Sequence, residues 1–169
     1  MSDAPAKKTT PSYSADGYHH VTPYIAVNDG NRAIDFYRHV FGAQVVSRFD
    51  SPGGGVAHAE ILIGESRVML SDPYPDMGIR APEPGAGVTS SLMVYCPDVD
   101  AVHARALAAG ATELKPLADE FHGDRAGTFL DPFGQRWMVA THIEDVSPEE
   151  LERRVGDWMA RQGPANTPS

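Results

Sequence analysis

Apolar positions along the chain switch between two periods, and the switch occurs twice in the same order. Val21-Thr-Pro-Tyr-Ile-Ala-Val27 is β-branched and aromatic, which predicts a strand. Pro23 lacks an amide donor and fits a strand start or an edge. Asn28-Asp-Gly-Asn31 is a turn able to cap a helix. From Arg32 to Phe41, Ala33, Ile34, Phe36, Tyr37, Val40 and Phe41 recur at helical spacing, and Gly42 is the residue type at which helices commonly stop. Strands follow at Gln44 to Phe49, Val56 to Ile63 and Arg67 to Ser71, separated by turns at Ser51 to Gly55 and Gly64-Glu65. The first half reads β-α-β-β-β.

Asp72 to Thr89 carries four prolines and three glycines, too irregular for either period, and reads as a long linking loop. The same order then returns. Ser91 to Cys96 is a predicted strand, Val99 to Ala109 a helix ended by Gly110, and Thr112 to Pro116, Thr128 to Leu130 and Arg136 to Thr141 are strands. Phe41-Gly-Ala43 corresponds to Ala109-Gly-Ala111, and Arg67-Val-Met-Leu70 to Arg136-Trp-Met-Val139. A last helix opens on Ser147-Pro-Glu-Glu150, a capping box, and carries the stripe Leu151, Val155, Trp158 and Met159. That stripe is expected to dock on the domain or on a second subunit.

These elements divide the chain into a flexible tail (1–17), a first βαβββ module (18–72), a linking loop (73–89), a second module (90–145), a C-terminal helix (146–162) and a second flexible tail (163–169). The fold class is α+β.

Composition narrows the function classes. The 169 residues carry a formal net charge of −9, with 14 basic and 23 acidic side chains. A phosphate-neutralising surface needs clustered Lys and Arg, so nucleic acid is not an expected partner, and the acid excess also repels anionic membranes. The single cysteine, Cys96, excludes an internal disulfide and a cysteine-rich zinc site. No apolar run reaches the roughly 18 residues of a membrane span. A reducing cytoplasm is the default expectation. P-loop, dinucleotide-binding and nucleophile-elbow motifs do not occur, and the Gly53-Gly-Gly55 run lies between strands rather than before a helix.

The organisation resembles the vicinal oxygen chelate superfamily of glyoxalases, bleomycin-resistance proteins and extradiol dioxygenases, and within it the PhnB-like branch. The resemblance is carried by Thr22-Pro-Tyr-Ile-Ala-Val27, Ala33-Ile-Asp-Phe-Tyr37 running to Phe41-Gly-Ala43, and Ala57-His-Ala-Glu60. It continues with Val68-Met-Leu-Ser-Asp72, Asp98-Val-Asp100 running to Ala108-Ala-Gly-Ala111, Gly123-Asp-Arg125, and Asp131-Pro-Phe-Gly134 before Trp137. It implies two βαβββ modules forming curved mixed sheets around a cavity, and a homodimer.

Metal enzymes of that superfamily hold four ligands, on the first and last strand of each module. The resemblance maps those positions onto Thr22, Met69, Ser91 and Met138, or with a slip of one onto Val21, Leu70, Ser90 and Val139. Hydroxyls and thioethers offer no charge to offset a divalent ion's desolvation. No metal and no cofactor is therefore expected, and Met69 and Met138 are expected to line an adaptable apolar pocket or to belong to the core.

His58 and Glu60 share one face of a strand and are the candidates for acid–base chemistry. A solvent-facing polar pair is the alternative. Tyr24 shares a face with Thr22, and Ser71 with Met69, so both are candidate ligand contacts alongside Ser91. In Phe121-His-Gly-Asp-Arg125, Phe121 and Arg125 are candidates for a ligand clamp, with Asp124 and Arg125 fixing the hairpin as the alternative role. His39, His103 and His142 are expected on the surface. The expected function is binding of an apolar or aromatic small molecule without a catalytic metal. The alternatives are a metal-dependent lyase, isomerase or dioxygenase-like enzyme with a non-standard site around His58 and Glu60, and a structural or regulatory dimer with no ligand.

Overall fold

Two local signals fix the ends of the first helix. In the computed structural model, which describes residues 13–83 and 85–162, α1 (Gly30–Phe41) is capped by Asp29, whose carboxylate accepts from the Arg32 amide at 3.1 Å. Gly42 closes it in the left-handed region at φ 68°, donating back to the Arg38 carbonyl. The face so formed buries Ala33, Ile34, Phe36, Tyr37 and Val40.

Four strands complete the first module: β1 (Tyr24–Ala26), β2 (Gln44–Asp50), β3 (Val56–Ile63) and β4 (Ser66–Ser71). They form one mixed sheet ordered β1-β4-β3-β2, with β1 parallel to β4 and the rest antiparallel. β1 is shorter than the predicted Val21–Val27 strand. Pro23 has no amide to donate, and only its carbonyl joins the ladder, accepting from the Met69 amide at 2.9 Å.

The second half repeats the plan with β5 (Ser91–Tyr95), α2 (Val99–Ala108), β6 (Thr112–Asp119), β7 (Asp124–Leu130) and β8 (Arg136–His142), ordered β5-β8-β7-β6. Here the hairpin is longer than predicted. β6 runs through Pro116 because β6 is an edge strand and the proline falls in a stretch of shifted register between Lys115 and Ala118. Neither sheet closes into a barrel.

The modules share one core. Trp137, 1% exposed, packs against Tyr37 and Phe41 of α1 with ring centroids 5.3 and 4.7 Å apart, and Phe36 meets Phe133 at 6.0 Å. The loop after β4 holds one short helical turn, Pro75–Met77, closed by the Tyr74–Ile79 pairing. The final helix α3 (Pro148–Gln162) begins as its capping box predicts, Ser147 Oγ accepting from the Glu150 amide at 3.2 Å. Its stripe rests partly on the second module, Trp158 lying 5.7 Å from Phe121, while Met159 stays exposed. No helix among the described residues is long and apolar enough to cross a membrane. Residues 1–12 of the predicted N-terminal tail (1–17) and the whole predicted tail at 163–169 lie outside the described residues.

Candidate functional site

Strand alternation sends Ile25, Ala59, Ile61, Val68 and Leu70 into the core, so the opposite face of the first sheet is free for chemistry. The register sets Tyr24 beside Met69, Met69 beside Glu60, and Glu60 beside Ser47 in one row across all four strands. His58 lies next along β3, opposite Phe49. Its ring sits 5.6 Å from Tyr24 and 6.3 Å from Phe49, and its Nδ1 is 3.4 Å from the Tyr24 hydroxyl. Tyr24 and Phe49 are 46% and 63% exposed. The result is an open aromatic surface with one polar centre.

That centre is Glu60, 8% exposed. Tyr18, from the segment ahead of β1, donates its hydroxyl to both carboxylate oxygens, at 2.7 and 2.8 Å. The Arg67 guanidinium makes an ion pair with Oε2 and lies 4.4 Å from the centre of the Tyr18 ring. His58 Nε2 lies 3.3 Å from Oε1. The Tyr18 hydrogen bond, with help from Arg67 and His58 against the cost of burial, holds the Glu60 carboxyl below the usual range. The same contact pushes the Tyr18 hydroxyl up, so it stays a donor.

Of the residues singled out in the sequence, the structure brings Tyr24, His58, Glu60 and Met69 together on this face. Ser71 shares the strand but is fully buried, its Oγ without a hydrogen-bond partner. Thr22 lines a cleft of about 530 Å³ between the lead into β1, the β3–β4 turn and β5. Arg67 belongs to this cleft and to the Glu60 cluster, and so joins the two.

The second sheet's outer face carries Ser91, Met93, Tyr95 and Met138, all exposed; Met93 pairs with Met138, and Met93 and Tyr95 also line the cleft. Asp124, 3% exposed, is the polar centre here. It accepts from the Tyr95 hydroxyl at 2.7 Å and pairs with His142 Nδ1 at 2.8 Å, and His122 Nε2 lies 3.5 Å away. Burial pushes the Asp124 carboxyl up, but the contacts with His142 and Tyr95 outweigh it and the net shift is downward.

Two candidates lie elsewhere. Arg125 points to the α2 side, where Asp100 takes two of its N–H groups at 2.8 Å and Asp119 a third at 2.9 Å. Its fork is filled by the protein, which is the hairpin-fixing role. Phe121 lines a separate groove of about 540 Å³ under α3, with Trp158 and Arg154. His103 is a correction to the expected surface position. It is 4% exposed, wedged against Gly127, with its ring centre 6.1 Å from that of Phe129.

The site also contains residues that sequence reasoning passed over. Tyr18 stood at the margin of the presumed tail, with no periodic neighbours to mark it. Phe49 was visible only as a strand residue, and Arg67 only as part of the internal repeat.

The family model for the Glyoxalase/Bleomycin resistance protein/Dioxygenase superfamily matches residues 17–139. The chain belongs to this superfamily. The Mycobacterium bovis protein Mb0911c is 39% identical over 137 residues, which cover 78% of this chain and 89% of that protein. Among solved structures, TioX from Micromonospora sp. ML1 is 29% identical, with a TM-score of 0.57, covering 75% of this chain and 100% of its own. A glyoxalase/bleomycin resistance protein/dioxygenase family enzyme from Burkholderia phytofirmans shares the fold at 22% identity and a TM-score of 0.60, covering 72% of this chain and 97% of its own. PhnB from Bacillus cereus does so at 23% identity and a TM-score of 0.57, covering 73% and 99%.

The residues onto which the resemblance maps the superfamily's metal positions do not suit a divalent ion. Thr22, Met69, Ser91 and Met138 supply two hydroxyls and two thioethers, neither charged. The carboxylate beside Met69 is already neutralised by Arg67 and capped by Tyr18. Among the described residues, no group of three or more His, Cys, Asp or Glu is placed to hold a metal ion.

Proposed function

We propose that this protein binds a small aromatic or apolar compound on the outer face of its first sheet, with no catalytic metal, and sequesters or recognises it. The observation that carries the reading is the cluster of Tyr24, His58 and Phe49 rings beside Met69. Aromatic faces left open next to an adaptable thioether suit a planar apolar ligand, and such ring contacts contribute roughly 0.5–1.5 kcal/mol each beyond area burial. An acid–base role for His58 and Glu60 is the weaker reading, because Glu60 spends its lone pairs on Tyr18 and Arg67 and its basicity is lowered.

A homodimer belongs to the proposal. Met93, Tyr95 and Met138 are 37–61% exposed on the second sheet, an apolar patch that a second copy would cover while the first sheet stays open to the ligand.

The test is a thermal-shift series with quinoline, indole and anthraquinone on the full chain, paired with light scattering for the mass. Ligand at 100 times its dissociation constant raises stability by about 2.7 kcal/mol. A midpoint that no aromatic compound moves contradicts the reading.

A further inference from the structure

We propose that the aromatic face of the first sheet takes a phenol, and that Tyr18 occupies the place of that ligand until it arrives, on a strap that lifts away. The inference rests on the reading of this face as an aromatic-binding site and names the ligand's chemistry.

Tyr18 is a phenol already seated there. Its hydroxyl straddles both Glu60 oxygens at 2.7 and 2.8 Å, and its ring lies under the Arg67 guanidinium at 4.4 Å. A hydroxyl donor to a carboxylate forms a charge-assisted hydrogen bond, stronger than a neutral one. The surroundings also select among ligands. A carboxylic acid meets the charge of Glu60, and an aromatic cation meets Arg67. An aliphatic alcohol lacks the ring that Arg67 covers. A neutral hydroxyaromatic satisfies both groups.

The strap is built to move. Residues 13–23 enter no strand or helix. Beyond Tyr18 itself, the segment is tied to this face by the Gly17 carbonyl, which accepts from Arg67 Nε at 3.3 Å, and by the Pro23 carbonyl at the start of β1. Tyr18 leaving would uncover Glu60 beside Met69 and the Tyr24, His58 and Phe49 rings, with Arg67 at the edge of the 530 Å³ cleft. A ligand competing with a tethered phenol binds with affinity reduced by the fraction of closed strap.

The experiment compares 6-hydroxyquinoline with quinoline by calorimetry on the full-length wild type, Tyr18→Ala and Glu60→Gln, with NMR of ring-labelled tyrosine, the Tyr18 signal being the one that Tyr18→Ala removes. The wild type is expected to prefer 6-hydroxyquinoline about tenfold, and Tyr18→Ala to bind it about tenfold tighter still while quinoline changes little. Glu60→Gln is expected to lose the preference. The Tyr18 ring signals move to the positions of a solvent-exposed tyrosine when 6-hydroxyquinoline binds the wild type, because the ring leaves Arg67 and Glu60. Equal affinity for the two compounds, a preference that survives Glu60→Gln, or a Tyr18 ring signal that does not move overturns the phenol and strap inference and leaves the aromatic face standing. If neither compound binds the wild type or Tyr18→Ala, both the inference and the pocket reading fall.

Discussion

Tyr37 of α1 and Asp131 of the β7–β8 turn are 94 residues apart in sequence, and their side-chain oxygens are 2.8 Å apart. The bond ties the first module's helix to the second module's sheet. Asp131 accepts three more hydrogen bonds, from the Trp137 indole and from the amides of Phe133 and Gln135. Burial pushes its carboxyl up, and these four donors pull against that. Because all four neighbours donate, the group needed here is an acceptor at both oxygens. Asp131→Asn turns an N–H toward two donors and is expected to cost about 2–4 kcal/mol, and Asp131→Ala about as much or more, since buried donors are left unpaired. Urea unfolding followed by Trp fluorescence checks both. A loss under about 1 kcal/mol contradicts the idea that this carboxylate locks the modules together.

Glu60 and Arg67 form a nearly buried pair, each side chain 11% exposed. Removing one partner strands the other's charge, so Arg67→Met is expected to cost about 3 kcal/mol, whereas the double change Arg67→Met with Glu60→Met costs less than either single change predicts. A double-mutant cycle measured by chemical denaturation reads the coupling directly. Additive effects would mean that the two charges are solvated independently.

His142 sits between two carboxylates, Asp124 at 2.8 Å and Asp145 at 3.0 Å, and the bond from Asp124, then that from Asp145, raise its pKa. His122 and the Tyr95 hydroxyl face the same Asp124. A raised histidine adds stability in full below its ordinary value near 6.5, and loses that contribution as pH rises through the folded value. Asp124, whose pKa is lowered, acts in the opposite sense and loses its contribution only as pH falls below the carboxylate range. The melting temperature is therefore expected to fall between pH 6 and pH 8 in the wild type and to fall less in His142→Gln. Differential scanning fluorimetry across that range checks it, and parallel curves for the two proteins would exclude His142 as the source.

The fold was legible because its signals are local. Asp29, Gly42 and Ser147 are capping residues whose side chains or dihedrals act on the adjoining turn, and the two β-α-β-β-β halves announce themselves by repetition. Length errors arose where one residue type carries two meanings. Pro23 ends a ladder in β1, yet Pro116 is carried through an irregular edge strand in β6. His58, Glu60, Tyr24 and Met69 could be set on one face from alternation alone. Tyr18 could not, because it reaches Glu60 across 42 residues from a segment with no period of its own. His103 was misplaced for a related reason. Charged neighbours along α2 suggested exposure, but its own side of the helix is pressed on Gly127 of β7, where the missing Cβ leaves room for the ring.

The central claim is a metal-independent aromatic surface on the first sheet. It is tested most directly by titrating quinoline calorimetrically into untagged, EDTA-treated protein and into the same preparation of Tyr24→Ala/Phe49→Ala. The account predicts that affinity is unchanged by EDTA and falls at least tenfold in the double variant. Binding that EDTA abolishes, or that the double variant retains in full, would contradict it.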